Sequence, residues 1–104
     1  MNHYTQTSST KIAALLALRK QFSGVDRATQ CALLLEALKL FPVTTFEASR
    51  YLDIYHPPGR IRDLRDAGYQ IETVWTTTQT EAGKVHRIGQ YFLTSQRIND
   101  TITA

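Results

Sequence analysis

The period of the chain changes at Gly68. Before it, apolar residues recur at helical spacing. After it, Tyr69 to Thr78 is rich in Ile, Thr, Val, Trp and Tyr, residue types that fit a pleated, half-buried surface. A polar stretch, Gln79 to Gly83, follows, and Lys84 to Leu93 reads as the returning strand. The spacing predicts a β-hairpin whose tip is Thr78–Lys84. A chain of 104 residues has room for one domain.

Helix punctuation divides the part before Gly68. Ser9 or Thr10 can cap a first helix on which Ile12, Leu15, Leu16 and Phe22 fall near one face, with Gly24 ending it. Asp26 caps a second helix from Arg27 to Phe41. There Cys31, Leu34, Leu35 and Leu38 form an apolar stripe, while Leu33, Ala37, Leu40 and Phe41 add apolar surface on other sides. A helix that is apolar nearly all round is buried on more than one side. Pro42 stops it. Thr44 or Thr45 caps a short third helix through about Leu52, and Thr44 with Glu47 fits a capping box. Asp53 to Pro57 reads as a turn. Pro58 suits the first turn of a fourth helix, which runs to about Ala67 and is closed by Gly68.

Composition narrows the function. The formal net charge is +3, which permits a nucleic-acid partner without demanding one. One cysteine, Cys31, cannot form an internal disulfide, and inside an apolar helix it reads as a small buried hydrophobe. One Cys with three scattered His offers no zinc cluster. The apolar run Ile12–Leu18 is too short to span a membrane and lacks the flanks of a signal peptide. The expectation is a soluble cytoplasmic protein with no cofactor. No Gly-rich phosphate loop, Ser-His-Asp order or metal-ligand spacing points to an enzyme.

The third and fourth helices have the residue types of a helix-turn-helix. Ala48 is the small residue that lets the second helix cross closely. Leu52, Ile54, Ile61 and Leu64 glue the corner, the last two on one face. Asp53 stands in the turn where many such units carry Gly, and Asp tolerates unusual backbone angles. The turn is longer than the tightest form, extended through Tyr55-His56-Pro57. With the hairpin following directly, the order is three helices and then a wing. The stretch from about Ala28 to Leu93 resembles the winged helix-turn-helix family common in bacteriophage and prophage proteins. The residues carrying the resemblance are Arg60-Ile61-Arg62-Asp63-Leu64-Arg65-Asp66-Ala67-Gly68-Tyr69, then Ile71-Glu72-Thr73, Trp75 and Tyr91-Phe92-Leu93.

The resemblance implies a mainly α fold with a small β-hairpin (α+β) and a double-stranded DNA partner. The domain layout is a flexible terminus 1–8, an N-terminal helix 9–24, the winged helix-turn-helix 25–94 and a tail 95–104. The N-terminal helix lies outside the resemblance and carries Leu15, Leu16 and Phe22, which suggests a dimerisation element. A homodimer on a palindromic or repeated site is one expectation, and packing of that helix on its own domain is the other.

Helix 58–67 is the expected major-groove reader, with hairpin 76–87 as wing. Arg60 and Arg62 are placed for base contact, since Arg grips guanine through a two-bond fork. Arg65 is assigned to phosphate or to an ion pair with Asp66. Thr45, Tyr55, His56 and Gly59 complete the candidate set around the helix. Thr77, Lys84 and Arg87, among Thr76, Thr78 and His86, are the candidates on the wing. Bland readings stand beside these. Arg62 and Asp66, four apart, can form a surface ion pair, and the Arg60 stem can cover apolar surface. Exposed threonines can serve strand propensity alone. Trp75, Tyr69, Tyr91 and Phe92 read as core rather than as a base-stacking platform.

Two classes of function follow. One is a DNA-binding regulator, with an excisionase-like or replication accessory role still open. The other is a protein-interaction module on the same scaffold. The second is kept alive by six basic against five acidic residues between Arg50 and Arg87.

Overall fold

The computed structural model describes residues 7–79 and 81–95. Four helices and three strands follow in the order α1 (Ser9–Lys20), α2 (Arg27–Leu40), β1 (Val43–Thr44), α3 (Thr45–Tyr51), α4 (Pro57–Asp66), β2 (Gln70–Gln79) and β3 (Val85–Ser95). The strands form one antiparallel sheet in the order β1-β3-β2. This is the expected α+β architecture, with one strand more. β1 escaped the sequence because two residues carry no period. It exists through its partners, Val43 opposite Tyr91 and Thr44 opposite Gln90.

The helices form where capping and apolar spacing agree. Asp26 caps α2, its carboxylate accepting from the Thr29 amide at 3.2 Å and the Thr29 hydroxyl at 2.7 Å. α2 is buried on several sides, as its composition requires: Leu33, Leu34, Leu35, Ala37 and Leu38 all lie in the core. Cys31 and Phe41 are only half-buried against that core. Leu40 is exposed. At α3 the capping box is complete: Thr44 Oγ1 accepts from the Glu47 amide at 3.0 Å, and Glu47 Oε1 accepts from the Thr44 amide at 3.0 Å.

The boundaries differ from expectation in places. Ser8, rather than Ser9 or Thr10, caps α1, accepting from the Lys11 amide at 3.1 Å. Residues 1–6 of the expected loose terminus lie outside the described residues, as do 96–104 of the expected tail. α1 ends at Lys20 instead of running to Gly24, because the Gln21 and Phe22 amides fold back onto the Leu18 and Arg19 carbonyls. That turn sends Phe22 against the core. Gly24 serves close approach rather than left-handed geometry: a Cβ there would meet the Asp26 carboxylate at 2.6 Å.

The helix-turn-helix corner is built as its residue types predict. Ala48, Leu52, Ile54, Ile61 and Leu64 are all buried. The Ile54 amide donates to the Ala48 carbonyl at 3.1 Å, closing the turn over the small residue. Asp53 carries the left-handed conformation the turn needs, φ 58°. α4 starts one residue early, with Pro57 rather than Pro58 at its first position. Gly68, φ 105°, releases the chain from α4 into the hairpin.

The N-terminal helix lies on its own domain. Leu15 is fully buried in the common core, and Leu18 and Phe22 pack against it. Burying a leucine contributes about 2 kcal/mol. Lys11 Nζ donates to the Pro42 carbonyl at 2.6 Å and to Glu47 Oε1 at 2.9 Å. Of the apolar residues that suggested dimerisation, Leu15 and Phe22 are therefore used within the protomer.

Candidate nucleic-acid interface

The sheet alternates, so Ile71, Thr73, Trp75 and Thr77 of β2 share a face with Tyr91, Gly89, Arg87 and Val85 of β3. The inner end of this face, Ile71 and Tyr91, is buried under the helices. The outer end continues past them into solvent. α4 meets this face where Arg65 crosses to β2. The Arg65 guanidinium donates to the Ile71 carbonyl from Nε (2.9 Å) and Nη2 (2.7 Å), and from Nη2 to Thr73 Oγ1 (3.0 Å). α4 and the outer hairpin thus enclose one corner.

The three arginines of α4 have three different situations. Arg62 is exposed and has no ion pair or side-chain hydrogen bond among the described residues. The alternative Arg62–Asp66 pair is not formed. Arg60 is held: its Nε donates to Asp63 Oδ2 at 2.9 Å, and its side chain is only 15% exposed. Asp63 also faces Arg27 of α2 at 3.6 Å. The free reach expected of Arg60 is thus taken up by an intrahelical clasp. Arg65 does not pair with Asp66. It staples α4 to the sheet, because the carbonyl of Ile71 offers a fixed acceptor beside the helix end.

Cys31 lies under this clasp, its Sγ 3.8 Å from Asp63 Oδ2 and 4.0 Å from the Arg60 carbonyl. Burial pushes its thiol up, and the Asp63 carboxylate adds to the shift. It is a poor thiolate and fits the expected structural role, though half-buried.

Pro57 and Pro58 occupy the first two positions of α4, so two of the amides that usually open a helix are missing. The Arg60 amide is bonded to the His56 carbonyl at 3.2 Å. Of the amides in this first turn, that leaves Gly59's. A Cβ at Gly59 would come within 2.4 Å of the His56 ring, so this glycine lets the imidazole lie against the helix. Tyr55 beside it is 91% exposed. Thr45, at the start of α3, is half-buried and donates to the Tyr91 hydroxyl at 3.1 Å.

On the hairpin, Thr77 is half-buried and Lys84 and Arg87 are exposed. Trp75 is not core: it is 59% exposed, and the Arg87 guanidinium stacks 4.9 Å from its ring centroid. Of the four aromatics expected inside, only Tyr91 is fully buried, while Tyr69 and Phe92 are half-buried. Sequence reasoning missed Trp75 because an apolar residue on a strand is ordinarily core. The usable signal was its opposite number, Gly89, which supplies no side chain to cover it.

Among the described residues, no group of His, Cys, Asp and Glu could hold a metal ion, and no helix is long and apolar enough to cross a membrane.

A three-helix core, a corner turn between α3 and α4 and a three-stranded sheet ending in a long hairpin define the winged-helix class. A family model described as the winged helix-turn-helix domain matches residues 29–96, about two thirds of the chain, and the chain belongs to that family, one of DNA-binding domains. Comparison with curated proteins finds no match, and neither does comparison with solved structures.

Proposed function

We infer that the protein is a sequence-reading double-stranded DNA-binding protein, a small transcriptional regulator of bacterial or phage type, acting in the cytoplasm. In this reading α4 enters the major groove and the hairpin lies along the neighbouring backbone. The observation that carries it is the uncommitted Arg62 on the outer face of α4, opposite the buried Ile61 and Leu64. An exposed guanidinium on a helix anchored by its other face is suited to fork onto a guanine edge. Arg65, three residues on, keeps its charge at the junction of α4 and the sheet while it staples the two together. Tyr55, His56 and Gly59 flank the entry of α4 and suit phosphate contacts, while Thr45 sits at the start of α3 with its hydroxyl bonded to Tyr91. An excisionase-like or replication accessory role would use the same duplex-binding chemistry.

A homodimer on a palindromic or repeated site belongs to this reading. With Leu15 and Phe22 committed to the protomer's own core, such a dimer would draw on other apolar surface, of which Val25 and Leu40 are exposed examples. Light scattering at tens of micromolar separates monomer from dimer.

The test is fluorescence anisotropy with random-sequence duplex and with DNA from upstream of the protein's own gene, at two salt concentrations. Neutralising roughly 4–6 phosphates gives a slope of about 0.9 log units of affinity per phosphate per log unit of salt. Steep salt dependence with preference for the upstream duplex is the expected result. Absence of duplex binding at low salt would overturn the reading in favour of a protein-docking module.

A further inference from the structure

Winged domains can meet DNA with the tip of the hairpin or with its flank. The tip here is ill suited. Glu81 is 94% exposed there and lies 4.0 Å from Arg50, so it sets a carboxylate where phosphates would approach and offsets the charge of the exposed Lys84. The flank differs. Trp75, Arg87 and Val85 stand exposed on the face that begins in the core at Ile71 and Tyr91. Arg87 covers one side of the indole and leaves more than half of Trp75 in water, with no other group among the described residues to bury it. A large aromatic left in solvent beside a cation marks an interaction surface. The same face carries Thr73, to which Arg65 of α4 is bonded, so it is continuous with the outer surface of α4.

We propose that Trp75 and Arg87 form the wing's DNA contact, with the hairpin lying flank-on rather than tip-in. The Trp75 indole packs on the deoxyribose of one backbone strand, and the Arg87 guanidinium, held in place by the ring, neutralises the adjoining phosphate. The occupant is duplex backbone because the face is cationic and continuous with the helix assigned to the major groove. The inference rests on the duplex-binding reading given above.

Trp75 is the sole tryptophan of the chain, so its emission reports this face alone. Unlabelled wild-type protein is titrated with duplex while anisotropy of labelled duplex follows binding independently. The expected result is a change in Trp75 emission that saturates with the anisotropy. Trp75→Ala should weaken duplex binding roughly tenfold, as for an aromatic anchor at an interface. Arg87→Gln should lower the salt slope by about 0.9, the signature of one phosphate. Glu81→Gln should leave binding unchanged or strengthen it. Duplex binding with unchanged emission and wild-type affinity for Trp75→Ala would overturn the flank contact and leave the DNA-binding reading intact. An emission change with single-stranded oligothymidylate larger than with duplex would also overturn it, making the face a base-stacking platform. If wild-type protein shows no anisotropy change with duplex, the DNA-binding reading itself fails and the flank contact falls with it.

Discussion

Lys11 Nζ in α1 lies 2.9 Å from Glu47 Oε1 in α3, and the Glu47 side chain is almost wholly buried. This pair joins the helix outside the family match to the first helix of the helix-turn-helix. Glu47 is also the closing residue of its capping box and accepts from Thr7 Oγ1 at 2.5 Å. Both oxygens of the Glu47 carboxylate are thus bonded. Breaking such a pair leaves an uncompensated buried charge, which costs far more than an exposed ion pair is worth.

Glu47→Gln should lower stability by about 2 kcal/mol, read as a drop of roughly 10 °C in Tm. Lys11→Met removes the ammonium and strands the carboxylate, and should cost as much. If α1 instead packed through Leu15 alone, both variants would melt like wild type.

The same carboxyl predicts acid sensitivity. Burial pushes the pKa of Glu47 up, but hydrogen bonds from Thr7, the Thr44 amide and Lys11, with the Lys11 charge, outweigh it and hold it below its ordinary 4.5. The unfolded chain therefore binds this proton more readily than the folded one. The stabilisation is complete above about pH 4.5 and is lost as pH falls through the lowered folded value. Wild type should lose Tm steeply below that point, and Glu47→Gln should show a shallower acid limb. Parallel acid limbs would assign the loss to other carboxylates.

Much of this arrangement is legible in the residues. Thr44 with Glu47 announces the capping box, Ala48 with Leu52, Ile54, Ile61 and Leu64 announces the corner, and Gly68 marks the change of period. What stays hidden depends on where the core stops. A ten-residue strand such as β2 spans about 33 Å, while a layer of helices is about 10 Å across. The helices cover Ile71 and not Trp75, and no local pattern says so. The separate fates of Arg60, Arg62 and Arg65 are hidden for a related reason. Their partners, Asp63, solvent and the Ile71 carbonyl, depend on which flank of α4 meets α2 and which meets the sheet.

Those separate fates give a prediction at the DNA. Arg62→Ala should cost about 1–3 kcal/mol on the preferred duplex and little on random DNA, because it removes a base contact. Arg60→Ala should have a smaller effect on discrimination, since its guanidinium is already engaged by Asp63. Competition titrations with specific and random duplexes separate the two. Equal losses on both duplexes for Arg62→Ala would reduce that residue to a phosphate contact.

Asp53 supplies a last test, of the corner itself. Its φ of 58° puts a non-glycine residue in the left-handed region, where a Cβ crowds the following carbonyl. Aspartate tolerates this better than most residues, and glycine tolerates it at no steric cost. Asp53 is exposed, so its side chain contributes no packing that glycine would forfeit. Asp53→Gly should therefore be neutral to slightly stabilising in thermal melts. Asp53→Val should cost about 1–2 kcal/mol, because a β-branched side chain fits that region worst. Since Ile54 follows directly and is fully buried, strain at Asp53 should pass into the α3–α4 packing. Asp53→Val should then weaken DNA binding as well as stability, while Asp53→Gly leaves both intact. A valine variant as stable as wild type would mean that the turn relaxes without its left-handed residue.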